Sequence, residues 1–130
     1  MSAGGSGRAR DRKLPRTTRL TRGSEIRAVL ERGKRSRTAH LDVWDSPSPV
    51  AQCRVGLIVP RYGHVVVQRN RLKRRLREIL RTEVMPRLRA EEACIDILVR
   101  PRREAYAIPQ KQLRAELLRW LERGWPSASS

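Results

Sequence analysis

The stretch Gln68-Arg69-Asn70-Arg71-Leu72-Lys73-Arg74-Arg75-Leu76-Arg77-Glu78-Ile79-Leu80-Arg81 narrows the possible structures more than any other part of the chain. Leu72, Leu76, Ile79, Leu80 and Val84 fall on one face at helical spacing, so the periodicity predicts an amphipathic helix from Arg69 to about Met85, ended by Pro86. The rest of that surface is basic: Arg69, Arg71, Lys73, Arg74, Arg75, Arg77 and Arg81, opposed only by Glu78. Like charges one turn apart, such as Arg71 with Arg75, each disfavour a bare helix by about 0.2–0.5 kcal/mol. Phosphate groups reverse that sign. Arginine grips phosphate through paired N–H groups, and the helix start near Asn70 offers free backbone N–H groups to an anion.

The same bias runs through the whole chain. Thirty Lys and Arg against thirteen Asp and Glu give +17 over 130 residues, a self-repulsion that calls for a polyanionic partner. Nucleic acid is the simplest one. A membrane surface competes, but no apolar run approaches the roughly 20 residues that span a bilayer, and the amphipathic segments lack aromatic anchors. Met1 to Lys13 carries basic residues with no apolar stretch behind them, so it does not read as a secretory signal and the expected location is cytoplasmic. Cys53 and Cys94 lie far apart in apolar, strand-like surroundings without metal-ligand spacing, and are expected as reduced, buried thiols.

One domain's worth of chain is available. Residues 1–13 read as a flexible basic arm and residues 125–130 as a loose tail. Between them, Ile26, Val29 and Leu30 predict a short helix, capped by Thr21 or Ser24 and closed by Gly33. Ala39, Leu41 and Val43 alternate with His40, Asp42 and Trp44 as in a half-buried strand, and Arg54 to Val59 predicts a second. The β-branched run Val65-Val66-Val67 predicts a short third strand before the basic helix. Cys94 to Val99 reads as a buried central strand whose Asp96 must meet an edge or a partner. A last helix runs from about Pro109 through Leu113, Leu117, Trp120 and Leu121 to Gly124. The expected order is α-β-β-β-α-β-α, an α+β layer of three helices on a four-stranded sheet.

Arg69-Asn70-Arg71-Leu72-Lys73-Arg74, followed by Arg77-Glu78, resembles the signature helix of the bacterial ribonuclease P protein family. Arg54-Val55-Gly56 is similar to the R-x-G strand of that family, Ser24 to Gly33 to its first helix, and Ile95 to Pro101 to its last strand. The likeness spans about residues 14–124. It implies a left-handed β-α-β crossover, and a signature helix that contacts a catalytic RNA subunit through Arg69, Asn70, Arg71, Lys73, Arg74 and Arg77. It also implies a cleft between first helix and sheet for the single-stranded 5′ leader of precursor tRNA, with Ile26, Leu30, Trp44, Arg54, Arg61 and Tyr62 as the matching candidates. The family's lysine pair after the second strand stands here as Pro60-Arg61.

The chain departs from the family in having no Phe; Ile26 and Leu30 occupy the first-helix positions where a ring is common. Stacking a base on a ring is worth roughly 1–3 kcal/mol, which aliphatic side chains at those positions do not supply. Trp44 or Tyr62 is left either as a substitute platform or as core or rim packing. No protein-borne catalytic set is expected: the carboxylates are scattered, and His40 and His64 fall in different elements, where both read as solvated. The resemblance places the chemistry in the RNA subunit, with Mg²⁺ held mainly there, and the sequence makes no obligate protein partner evident. Two other classes compete. A ribosomal or ribosome-assembly protein would bind ribosomal RNA instead, and a basic-region zipper would need the heptad that Pro86 interrupts.

Overall fold

Every second residue of the chain's strands meets one of two different environments, and that alternation organises the molecule. The computed structural model describes residues 19–50 and 52–123. The basic arm, the tail and Gly124 lie outside the described residues. The elements are α1 (Gly23–Arg32), β1 (Lys34–Arg37), β2 (Leu41–Pro47), β3 (Arg54–Leu57), α2 (Val66–Ile79), a π-helical turn (Leu80–Val84), α3 (Met85–Ala90), β4 (Ile95–Pro101), a 3₁₀ turn (Arg103–Ala107) and α4 (Gln110–Glu122). The sheet order is β1-β2-β4-β3, antiparallel except for the parallel pair β3 and β4. This is the expected α+β architecture, a four-stranded sheet with helices against it.

Leu41, Val43, Val55, Ile95, Ile97 and Val99 face the main core, where they meet Leu72, Leu76, Ile79, Leu80, Val84, Met85 and Leu88 from the long helical rod and Leu113, Leu117, Trp120 and Leu121 from α4. The opposite face carries a smaller cluster, Leu20, Val29, Trp44 and Leu98, joined by Ile26 and Ile58, under α1. Gly56 lies where the chain segment at Leu20 crosses: a Cβ there would stand 2.8 Å from Leu20 Cβ and 3.1 Å from Leu98 Cδ1. The R-x-G glycine thus lets the incoming segment lie against β3, where the Leu20 N–H donates to the Val55 carbonyl at 2.7 Å.

Several expectations need correction. Val65 to Val67 form no strand: Val66 and Val67 open α2, the Gln68 side chain accepts from the Val65 N–H at 3.1 Å, and all three valines are exposed, with no sheet neighbour to pair with. The fourth strand is instead Lys34–Arg37, an edge strand with no apolar residue to signal it, held by its hairpin register with β2. Pro86 does not end the rod. The turn before it widens so that the Met85 N–H reaches the Leu80 carbonyl, five residues back, and Pro86 then sits in the first turn of α3, where its missing N–H costs nothing. Neither Thr21 nor Ser24 caps α1; the helix follows Arg22, whose N–H is met by Glu25 at 3.4 Å. Of the two free thiols, Cys53 is buried but Cys94 is exposed. No described helix is long and apolar enough to cross a membrane.

Two buried polar constellations lock these layers. Arg54, 6% exposed, donates Nε and Nη2 to the two oxygens of Asp96 at 2.9 and 2.8 Å, and Nη1 to Glu25 of α1 at 2.8 Å. Asp96 therefore finds its partner inside the fold. On the far side, Glu116 of α4 accepts from Thr38 Oγ1 at 2.6 Å and from the His40 N–H at 2.9 Å, and its other oxygen lies 2.5 Å from His40 Nδ1. His40 is thus engaged in the fold rather than solvated as expected. Burial pushes the Glu116 carboxyl up, but the hydrogen bonds from Thr38 and His40 outweigh it and hold the group below its ordinary range.

Arg54→Met should destabilise the protein by about 3–5 kcal/mol, because it strands the Asp96 carboxylate in the interior, and Arg54→Met with Asp96→Leu should recover most of that stability in thermal or urea unfolding. Glu116 is depressed in the folded state, so its contribution is complete above the unfolded glutamate range and fades as the pH falls through the folded value. Glu116→Gln should therefore flatten the acid limb of a stability-against-pH curve; an unchanged acid limb would refute the network's role.

Candidate nucleic-acid interface

The α2 helix divides its surface three ways. Leu72, Leu76 and Ile79 point to the core. Asn70, Arg71, Arg74 and Arg77 are exposed, and among the described residues they have no ion-pair or hydrogen-bond partner. Glu78, the sole acid of the helix, is taken by Arg81 at 2.7 Å. The described residues thus leave the arginine face unneutralised.

Two basic notches flank the helix, set by its i,i+4 spacing. On one flank, Lys73 and Arg77 look across to Arg19, Leu20, Ile26, Gly56 and Leu57, forming a groove between the rod, the edge of β3 and the start of α1. Burial, and then the nearby Arg69 and Arg77 charges, push the Lys73 ammonium pKa down. On the other flank, Arg71 and Arg75 line a notch with His64, Gln68, Leu72 and Tyr106. Arg69 stands apart from its neighbours: its Nε donates to the Val59 carbonyl at 2.7 Å, so it ties the helix start to the end of the β3 segment as well as adding charge.

The candidates on the sheet face fare differently from one another. Ile26 is half-buried over the small cluster and lines the Lys73 groove, while Leu30 is 36% exposed. Arg54 is not a surface contact, because Asp96 and Glu25 hold its whole guanidinium in the interior. Trp44 is not an open platform either: it is 6% exposed, with the Arg35 and Arg100 guanidiniums 5.5 and 5.1 Å from its ring centroid. Of the two alternatives left by the sequence, it takes core packing. Arg61 is exposed in the turn after β3. Tyr62 is half-buried at φ +50°, beside Gly63 at +87°, with Arg103 5.2 Å from its ring and Tyr106 edge-on at 6.4 Å. It is rim packing.

Two groupings escaped sequence reading. Asp42, 1% exposed, gathers Arg35 at 3.2 Å, Arg37 at 3.6 Å, Arg100 at 3.4 Å and Arg102 at 2.9 Å. Burial pushes that carboxyl up, but Arg35, Arg100 and Arg102 outweigh it and hold the group below its ordinary range. One negative charge against four positive ones leaves a fan of cations on the open face. The alternation of β1 and β2 contains the signal, since the register sets Arg37 against Asp42 and Arg35 against Trp44, but which strands pair could not be read from the chain. The second grouping is His64, stacked on Tyr106 with centroids 3.8 Å apart and planes 8° from parallel, rather than solvated. Among the described residues no three His, Cys, Asp or Glu side chains gather as a metal site.

The ribonuclease P family model matches residues 14–124. The chain is 37% identical over 114 residues to the ribonuclease P protein component of Desulfovibrio desulfuricans, covering 85% of each, and 38% identical over 116 residues to that of Acidothermus cellulolyticus, covering 85% of this chain and 90% of the relative. Among solved structures, the RNase P protein from Thermotoga maritima superposes with TM-score 0.66 at 26% identity over 82% of this chain and 96% of that one. The Staphylococcus aureus RNase P protein, 19% identical with TM-score 0.66, shares the fold over 81% of this chain and 93% of that one. A dense arginine helix, the strand that precedes it and near full-length similarity converge: this chain belongs to the ribonuclease P protein family.

Proposed function

We propose that the chain is the protein subunit of a ribonuclease P ribonucleoprotein, acting in the cytoplasm, where it binds a catalytic RNA and the 5′ leader of precursor tRNA and assists removal of that leader. The observation that carries the reading is the α2 surface, on which Asn70, Arg71, Arg74 and Arg77 are exposed with no carboxylate among the described residues to meet them. Such a surface is repulsive alone and favourable against phosphates. Arg69 and Lys73 add charge at its margins.

On this reading the hydrolytic chemistry belongs to the RNA partner and its Mg²⁺. The protein's part is binding. Leu30, Ile26 and Arg61, with the cations gathered by Asp42, form the leader side of the interface. Contacts to a segment that mature tRNA lacks favour the precursor over the product. Added positive charge also lowers RNA–RNA repulsion, so less Mg²⁺ is required.

Reconstitution tests this. The full chain added to a bacterial ribonuclease P RNA and precursor tRNA should raise cleavage at low Mg²⁺, and should tighten precursor binding more than mature tRNA binding. Equal effects on the two tRNAs would sink leader recognition; no effect, with tight binding to ribosomal RNA instead, would favour the ribosomal reading. Replacing Arg71, Arg74 and Arg77 by Gln should weaken binding to the RNA subunit and reduce the slope of log K against log salt by about 0.7–0.9 for each phosphate no longer neutralised.

A further inference from the structure

The notch beside the arginine helix has a composition that electrostatics alone does not explain. It is open on one side, and His64, Gln68, Arg71, Leu72, Arg75 and Tyr106 line it. One wall is the His64–Tyr106 stack, and the Tyr106 hydroxyl donates to the Pro60 carbonyl at 2.7 Å, which fixes that ring in place. His64 is fixed too, since Nδ1 lies 2.9 Å from Gln68 Oε1, which also accepts from the Val65 N–H. That leaves the Gln68 amide NH₂ without a partner among the described residues, and Gln68 lines the notch. Arg71 and Arg75 supply the cationic side and Leu72 the floor.

A flat aromatic wall, an amide donor and two guanidiniums within one notch match the parts of a nucleotide: a ring with a π face, an edge with acceptors, and a phosphate. We propose that this notch receives a single unpaired nucleotide of an RNA, whose base extends the His64–Tyr106 stack while its phosphate is held by Arg71 and Arg75. The inference rests on the RNA-binding reading above and adds to it a base-dependent contact. A purely electrostatic helix would track the backbone and ignore the base. Here the stack makes one position of the bound strand sensitive to whether a base is present at all.

The test uses the full-length protein and two single-stranded probes of equal length, a uridine hexamer and the same ribose-phosphate backbone without bases. The uridine hexamer should shift the His64 and Tyr106 ring-proton signals, and the abasic one should bind about 5- to 150-fold more weakly. His64→Ala should bring the uridine hexamer down to the abasic level, and His64→Phe, which keeps a ring for the stack, should restore it. Arg71→Gln with Arg75→Gln should weaken both probes alike. Equal binding of the two hexamers, or a folded His64→Ala protein that retains full affinity, overturns the nucleotide site. In the reconstituted holoenzyme, His64→Ala should weaken either the RNA subunit's hold on the protein or the binding of precursor tRNA, which tells the two RNA sources apart; an effect on neither also overturns it. Failure of the wild-type chain to stimulate cleavage would reject the proposed function, whereas the hexamer comparison judges the notch on its own.

Discussion

Arg54 is the point at which three elements are held together. Its two-pronged bond to Asp96 fixes β3 against β4 in the one parallel pairing of the sheet, and its third contact, to Glu25, draws α1 onto the same face. Gly56, two residues on, then admits the Leu20 segment along the outer edge of β3. With α1 in place, Trp44 and Leu98 are covered and the sheet has a core on both sides. Neutral packing could replace such a buried triad without sacrificing stability; what the ions add is a single permitted register, because a slip by one residue would leave three charges buried without partners.

The protein handles its excess of positive charge in two contrasting ways. Around Asp42 the guanidiniums are gathered onto one inward carboxylate, so their positions are set before any partner arrives. Along the exposed face of α2 they meet no acid among the described residues, and the repulsion between them is offset by Leu72, Leu76 and Ile79, which anchor the helix to the core. Exposed ion pairs contribute about 0–1 kcal/mol each, so leaving them unmade on α2 costs the fold little while keeping the cations available.

Much of this was legible in the chain, for identifiable reasons. The stripe of Leu72, Leu76, Ile79 and Leu80 fixes the face of the rod that is buried, and the apolar run of β4 announces a central strand. The exposed basic residues of α2 followed from that stripe by exclusion. What could not be read depends on pairing across the sheet: Lys34–Arg37 carries no apolar signal, and Arg54 and Trp44 looked available until Asp96 and the Arg35 and Arg100 side chains were brought to them. The valines at the start of α2 misled because β-branching favours strands on average, whereas here Gln68 caps the Val65 N–H and the run enters the helix.

The widened turn at Leu80–Val84 has a geometric consequence for the arginine face. Leu72, Leu76, Leu80, Val84 and Leu88 are all buried at intervals of four, yet in an ideal α-helix a strict four-residue repeat precesses by about 40° per step and would swing away from the sheet. Five residues wound more loosely take back much of that drift, so the rod keeps its apolar side on the core along its length. Deleting one residue there would rotate everything beyond it by about 100° relative to the basic half. The azimuth of the guanidinium array is therefore set partly by an irregularity that begins three residues after Arg77.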